Sequence, residues 1–362
     1  MVKSVAEPSA LLQGEALVDS AGKVWLPYDL SHLRVPFTGW ARLSSRRDVR
    51  HAGRRSFQWQ APASDTLHVL NGMGVTLGDS IIGMNALAWL KTRHPTMRVH
   101  LYRTPHAPAF VVRLYALASR LVESVTYLPM PLENLPKDVV DLSDFLYWPA
   151  FASEPMVDFF MRGLGIALDA VPASAKANRW LSGLSVPSIP APWSSRRYVL
   201  FCDQASTPLR TVPEEHAASM VDRIWQQYGL PVLGFRPVSH PYFIDISSHA
   251  SDLDQFIAWV KGASAVIGTD SSAIHIAAGF DVPTLAAFVS IDPALRARDY
   301  PNCRVLDVRT ESTQGLHESN DPAVLQEVHR IWQAIIERTD LPWPAAASRQ
   351  VDKCCMGETL PV

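Results

Sequence analysis

The chain has few cysteines, no long unbroken apolar run and almost no net charge. Each scarcity removes a class of function. Its four cysteines, Cys202, Cys303, Cys354 and Cys355, form no C-x-x-C pair, so neither a disulfide framework nor a cysteine metal site is expected. The net charge of −2 gives no general attraction to nucleic acid or anionic lipid, and no nucleic-acid partner is expected. No window approaches the about eighteen consecutive apolar residues of a membrane span. The opening "MVKSVAEPSALLQGEALVDS" lacks the apolar core of a secretory signal. These absences point to a cytoplasmic protein. Two motifs are missing as well. Gly72, Gly74 and Gly78 are wrongly spaced for a G-x-G-x-x-G dinucleotide fingerprint, and no G-x-S-x-G elbow is present.

What is present is enough for two ordinary domains: 362 residues, 48% apolar and 19% charged. Residues 1–60 read as an N-terminal extension. "EALVDSAGKVWLP" (15–27) predicts a hairpin turning at Ser20-Ala21-Gly22. "RLSSRRDVRHAGRR" (42–55) sets six arginines against one aspartate and reads as a solvated basic loop, or more sharply as a phosphate patch for an acceptor.

From residue 67 strands and helices alternate. "LHVLNG" (67–72), "RVHLYRT" (98–104) and "SVTYLPM" (124–130) read as strands. "SIIGMNALAWLKTRHP" (80–95) and "PAFVVRLYALASRLV" (108–122) read as the helices between them. That pattern predicts a parallel, doubly wound first lobe over 61–185. Residues 149–196 are hard to parse, and "VPSIPAPWSS" (186–195) reads as a linker.

The alternation restarts over 197–320. "RYVLFCD" (197–203), "PVLGF" (231–235), "SAVIGT" (264–269) and "TLAAFVS" (284–290) are expected strands. Helices are expected over 213–229, 251–263 and 271–280. A C-terminal helix (321–340) and a polar tail (341–362) complete the expected organisation. Ligands of such sheets bind beyond the carboxyl ends of the strands, so a two-lobed protein is expected to hold its ligand in a cleft.

Four polar stretches follow strands. In "GTDSSAIHIAAG" (268–279), Asp270, Ser271 or Ser272 can cap a helix whose N-terminus suits a diphosphate, and His275 lies one turn in. Equally, Asp270 is a plain cap and His275 a hydrogen-bonded core residue. In "GMGVTLGDSII" (72–82), Gly74 and Gly78 let the backbone approach a ligand. Asp79 there is either a general base toward a hydroxyl or an N-cap. In "QASTPLRTVPEEH" (204–216), Ser206, Thr207 and Arg210 can grip phosphates, or the stretch is an ordinary strand-to-helix loop. "SIDPALRARDYPN" (290–302) offers Asp292, Arg296 and Arg298 to the same crevice.

Together these stretches resemble the heptosyltransferase family, the family-nine glycosyltransferases of bacterial lipopolysaccharide core synthesis. The resemblance rests on Gly78-Asp79, on "STPLRTVPEEH" (206–216) and on "DSSAIHIAAGFDVPTLAAFVSIDP" (270–293), and spans about residues 67–335. The last stretch matches the family signature D-T-G-x-x-H-x-A-A with its following strand and aspartate loop. It implies a GT-B fold, with acceptor binding in the first Rossmann-like lobe and nucleotide-sugar binding in the second. It also implies inverting transfer without metal or other cofactor, usually from ADP-heptose, to lipopolysaccharide core or a protein. Peripheral association with the inner membrane stays open. By the resemblance, Asp79 is the base. Ser206, Thr207 and Arg210, the last where the family usually has lysine, hold the diphosphate. Asp270, Ser271, Ser272, His275 and Asp292 contact the donor. The chain departs from the family pattern in Ser271-Ser272 for Thr-Gly and Val289-Ser290 for Gly-Pro. It also shows no clear acidic nucleotide ligand in "GFRPVSHPYF" (234–243). The alternatives are a nucleotide-sugar epimerase-like enzyme, which a base at Asp79 disfavours, and a catalytically silent GT-B module that binds or assembles.

Overall fold

The structure, a computed structural model, describes residues 14–30, 39–53, 65–143, 145 and 148–347. Arg54 and Arg55 of the basic stretch, Cys354, Cys355 and the tail beyond 347 lie outside the described residues. Contacts divide the chain into two units. One is Met1–Ser185 together with Asp292–Tyr300, and the other is Val186–Ile291 together with Pro301–Val362.

The first unit contains a five-stranded parallel sheet, ordered β4 (Val49–His51), β9 (Val139–Asp141), β5 (Thr66–Leu70), β6 (Arg98–Arg103), β7 (Ser124–Tyr127). Its central strands run parallel in register, with His68 opposite His100 and Leu70 opposite Tyr102. The helix Leu77–Arg93 makes the crossover from β5 to β6, as parallel pairing requires. Thr76 caps it, and Lys91 and Arg93 stand in its last turn, where the dipole favours cations. The expected hairpin forms: β1 (Leu17–Val18) pairs antiparallel with β2 (Lys23–Trp25). Its turn is held by Asp19, whose carboxylate accepts from the N–H groups of Ala21 and Lys23. β3 (Ala41–Arg42) and β8 (Met130–Pro131) complete a separate four-stranded antiparallel sheet.

Two expectations are corrected here. The basic stretch is not simply a loop, because its Val49–His51 forms the edge strand beside β9, with Val49 and His51 buried and Arg50 exposed. "SVTYLPM" is not one strand but two short ones in different sheets, β7 and β8.

The segment Asp292–Tyr300, placed by the sequence in the second lobe, belongs to the first unit. An ion cluster, buried at Asp158 and Lys176 and exposed at Arg298, holds it there: Arg298 Nη1 lies 2.9 Å from Asp158 Oδ2, and Lys176 Nζ donates to Asp158 Oδ1 at 2.6 Å. Burial alone would push the Asp158 carboxyl up, but hydrogen bonds from Arg298 and Lys176 outweigh it and hold the group below the usual carboxylate range. Asn178 donates to the Tyr300 hydroxyl at 2.8 Å, and the Arg296 guanidinium lies over the Phe151 ring. The unparsed region 149–185 supplies the docking surface, through helices Pro149–Ser153 and Met156–Gly163 and three short 3₁₀ turns.

The second unit is a six-stranded parallel sheet. Its order is β12 (Phe243–Asp245), β11 (Val232–Gly234), β10 (Val199–Cys202), β13 (Ala265–Thr269), β14 (Thr284–Phe288), β15 (Cys303–Asp307). By position this is 3-2-1-4-5-6, the dinucleotide-fold order, whose switch point lies between β10 and β13. On one face, Ala217, Met220, Val221 and Ile224 of the helix Glu214–Tyr228 pack with Val328, Ile331, Trp332 and Ile335 of the helix Pro322–Glu337. Residues 341–347 are packed rather than a loose tail: Leu341 joins this core, and Ala347 N–H donates to the Ser264 carbonyl at 2.9 Å.

Candidate functional site

In the second unit, candidate residues gather at the switch point. β10 and β13 are neighbours, and their following connections leave in opposite directions, which opens a crevice beyond their carboxyl ends. The strands approach closely at Gly268, where an added Cβ would stand 2.7 Å from the Cys202 carbonyl oxygen. Burial pushes the Cys202 thiol far up, so this cysteine stays protonated and inert at neutral pH.

The loop after β10 is stitched to itself. The Thr211 hydroxyl accepts from Ala205 N–H at 3.1 Å and donates to the Thr207 carbonyl at 2.9 Å. Buried Asp203 accepts from Arg236 Nε at 2.7 Å, and Arg236 also donates to the Val212 carbonyl at 3.1 Å. Burial, the largest influence, pushes the Asp203 carboxyl above its ordinary range even though Arg236 pulls it down.

Arg210 spans the crevice within this unit. Its Nη2 donates to Ser206 Oγ at 2.7 Å, and its Nη1 donates to both the carbonyl and the Oδ2 of Asp270 at 3.1 Å. Ser206, Arg210 and Asp270, named from sequence, are therefore brought together. Ser271 occupies the cap position of the helix Ser272–Gly279, yet among the described residues its side chain makes no capping hydrogen bond. This corrects the expectation that Asp270 or a serine side chain closes it: the Asp270 carboxylate is engaged by Arg210. Among the described residues, three buried oxygens here have no hydrogen-bond partner: Thr207 Oγ1, Thr269 Oγ1 and Ser271 Oγ. Arg210 Nε has none either. Each such orphan costs about 1–3 kcal/mol, so their clustering at one end of the sheet is expensive unless a ligand satisfies them. Hydroxyls, a guanidinium and an uncapped helix start are all donors, and together they suit an anion with several acceptor oxygens, such as a diphosphate. His275 is buried one turn into the helix, at 4% exposure.

In the first unit, the candidate residues lie at the turn after β5. Asn71, Gly72 and Gly74 all have positive φ, +58°, +42° and +76°. At Gly74 an added Cβ would stand 2.7 Å from the Phe145 ring and 3.5 Å from Asp79 Oδ2, so glycine is required for both conformation and space. Gly78 has no such need, because it sits inside the helix. Asp79 is half-buried in the first helical turn, and Thr76, not Asp79, is the cap: Thr76 Oγ1 accepts from Asp79 N–H at 3.3 Å. The capping reading of Asp79 is therefore overturned.

Sequence reasoning missed Arg103. It is buried at the end of β6, donates to the Gly74 carbonyl at 2.8 Å, and stacks 3.7 Å above the Tyr115 ring. The Tyr115 hydroxyl in turn accepts from Met73 N–H at 3.3 Å and donates to Ser80 Oγ at 3.4 Å. These bonds fix the glycine turn beside Asp79. The available signal was an arginine closing an otherwise apolar strand. Asp203 and Arg236 were missed for a similar reason, since one ends an apolar strand and the other follows one. Asp292 lies in the segment grouped with the first unit, where its carboxylate caps the short helix Pro293–Arg296 through Ala294 N–H at 2.8 Å.

Among the described residues, no helix is long and apolar enough to cross a membrane. No family model matches the chain, and no curated protein matches its sequence. Among solved structures, the chain is similar to the dodecameric iron-containing heptosyltransferase TibC of enterotoxigenic E. coli in complex with ADP-D-β-D-heptose. That likeness has 14% identity and a TM-score of 0.50, covering 89% of this chain and 88% of that one. It is also similar to the ADP-heptose lipopolysaccharide heptosyltransferase II of E. coli, at 15% identity and a TM-score of 0.48, over 74% of this chain and 99% of that one. At 14% identity the TibC likeness is one of fold: the chain has the α/β GT-B architecture, with two Rossmann-like units, that its sequence led us to expect.

Proposed function

We propose that this protein is an inverting glycosyltransferase that moves a sugar from a nucleotide-diphosphate donor to a hydroxyl acceptor, with no metal at the reacting centre. The observation that carries the reading is the donor-rich crevice at the β10–β13 switch point. There Arg210, Ser206 and the orphaned hydroxyls of Thr207, Thr269 and Ser271 surround an uncapped helix start. Such a set favours a leaving diphosphate more strongly as its charge develops, which is how fixed dipoles lower a barrier. Ser272 and His275 lie on the same helix, where they would face the donor sugar and phosphates.

In the proposed reaction, the Asp79 carboxylate takes the proton of the acceptor hydroxyl as that oxygen bonds to the anomeric carbon. The bond from that carbon to the diphosphate breaks, its electron pair stays on the phosphate oxygen, and the configuration inverts. Position supports Asp79 as the base: it stands in the first turn of its helix, beside a turn whose glycine allows close approach. ADP-heptose is the donor we favour, because TibC, which shares the fold, was solved with ADP-D-β-D-heptose. Lipopolysaccharide core or a protein is the acceptor class.

The test is a thermal-shift screen of ADP-, GDP-, UDP- and dTDP-linked sugars. At about 100 times its Kd, the true donor should stabilise the fold by about 2.7 kcal/mol. The ADP-linked sugar should give the largest shift, and in Arg210→Ala the stabilisation at the same concentration should fall to about 0.3–1.4 kcal/mol. No shift with any donor, or an equal shift in that variant, would count against the reading.

A further inference from the structure

We propose that the second unit carries a divalent transition-metal site, separate from the donor crevice, formed by Glu215, His216 and His329. Among the described residues these are the group of three whose ligand atoms, one per side chain, all lie within 4.8 Å of one another. Glu215 and His216 stand in the first turn of the helix Glu214–Tyr228, and His329 lies midway along the helix Pro322–Glu337.

Packing pre-organises the pair. Directly beneath, Ala217, Met220 and Val221 meet Val328, Ile331 and Trp332 in the buried core, so the two backbones cannot drift apart. The donors sit on the rim of that contact. His329 Nδ1 pairs with Glu215 Oε1, and the rings of His216 and His329 lie 5.8 Å apart at 59°. Among the described residues no lysine or arginine pairs with Glu215, so a cation entering here displaces none.

Two imidazoles and one carboxylate suit Zn²⁺ and its first-row neighbours rather than Ca²⁺ or Mg²⁺, which prefer oxygen ligands. Metal–ligand bonds of about 2.0–2.2 Å bring neighbouring donors to roughly 3–3.5 Å from one another. The donors are at most 4.8 Å apart, so an inward movement of about an ångström closes the site. Half-exposed side chains on fixed helices make that movement by rotation alone. The positive end of the helix opposes a cation, and Glu214 and Glu215 in its first turn offset that field. Water completes the coordination. Bound there, the ion ties the C-terminal helix to the helix that begins just beyond Arg210, and so braces the loop that carries Ser206, Thr207 and Arg210. It takes no part in the transfer step.

The experiment is titration of the full, metal-stripped chain with Zn²⁺ by calorimetry and thermal unfolding, and with Co²⁺ by absorption spectroscopy. Wild type should bind a single tight equivalent of Zn²⁺ and melt higher with it. Its Co²⁺ spectrum should lack a thiolate charge-transfer band. His329→Ala and His216→Ala should fold normally without metal, as judged by circular dichroism. Each should lose at least the roughly 100-fold in affinity that removal of an outer-shell partner alone can cost. Zn²⁺ affinity unchanged in both variants, a thiolate band, or no wild-type binding would each overturn the proposal.

Discussion

Replacing Arg210 by alanine separates what holds the crevice together from what binds a ligand in it. The substitution deletes three hydrogen bonds and leaves the Asp270 carboxylate, only 4% exposed, without its cation. Breaking a buried ion pair from one side costs about 3–5 kcal/mol. The Arg210 side chain is 21% exposed, so solvent screens part of the pair, and we expect a loss of about 2–3 kcal/mol. For a unit of this size that corresponds to roughly 4–12 °C in Tm. Asp270→Asn added to Arg210→Ala removes the stranded charge and should recover most of the loss. Donor affinity should not recover. Loss of a charge-assisted phosphate contact costs about 1.5–3 kcal/mol, or about 10- to 150-fold in Kd. Calorimetric unfolding and donor titration of the wild type and the two variants measure both effects. Wild-type donor affinity in the double variant would refute the phosphate role, and an unchanged Tm in Arg210→Ala would refute the structural one.

Two further expectations follow from the first unit. Asp158→Asn leaves the buried Lys176 ammonium without its carboxylate, while the more exposed Arg298 keeps Asp299, so the loss should fall below the about 3–5 kcal/mol of a fully buried pair, at about 2–3 kcal/mol by denaturant unfolding at neutral pH. The folded Asp158 carboxyl is held below its unfolded value of about 3.9, so its contribution is complete above that value and is lost as the pH falls through the folded pKa. The gap between wild type and variant should therefore narrow only below about pH 4, and a gap constant down to pH 2 would exclude the ion cluster as its source. Gly74→Ala forces a side chain into a left-handed residue, at about 1–2 kcal/mol, and drives its Cβ into the Phe145 ring. Turnover should collapse in this variant while donor binding, which we propose for the other unit, is kept.

Where apolar periodicity and turn chemistry agree, the sequence is a good guide to this fold. β10, β13 and β14 are buried on both faces and read as continuous apolar runs, and the 15–27 hairpin carries its own turn residues. Short or polar strands escaped. β4 lies inside an arginine-rich stretch, and β12 and β15 are edge strands whose half-exposed residues give no apolar run. The excursion of Asp292–Tyr300 into the first unit was illegible, because it depends on Asp158 and Lys176, more than a hundred positions away in the chain. Among the candidate residues of the second unit, Ser206, Arg210 and Asp270 were anticipated as a set of residue types on neighbouring loops. The orphaned Thr269 and the Arg103 brace were not, since burial without a partner is a property of packing rather than of any motif.

The central claim is that Asp79 is the base of a sugar transfer. The most direct measurement is ADP release by the full chain from ADP-heptose, with lipopolysaccharide core and protein acceptors, for wild type and Asp79→Asn side by side. Wild type should turn over with one of these acceptors. Asp79→Asn should bind the donor as wild type does and lose about 10²–10⁴-fold in turnover, the range expected when a general base is removed. Undiminished turnover in the variant, or none in the wild type, would contradict the account.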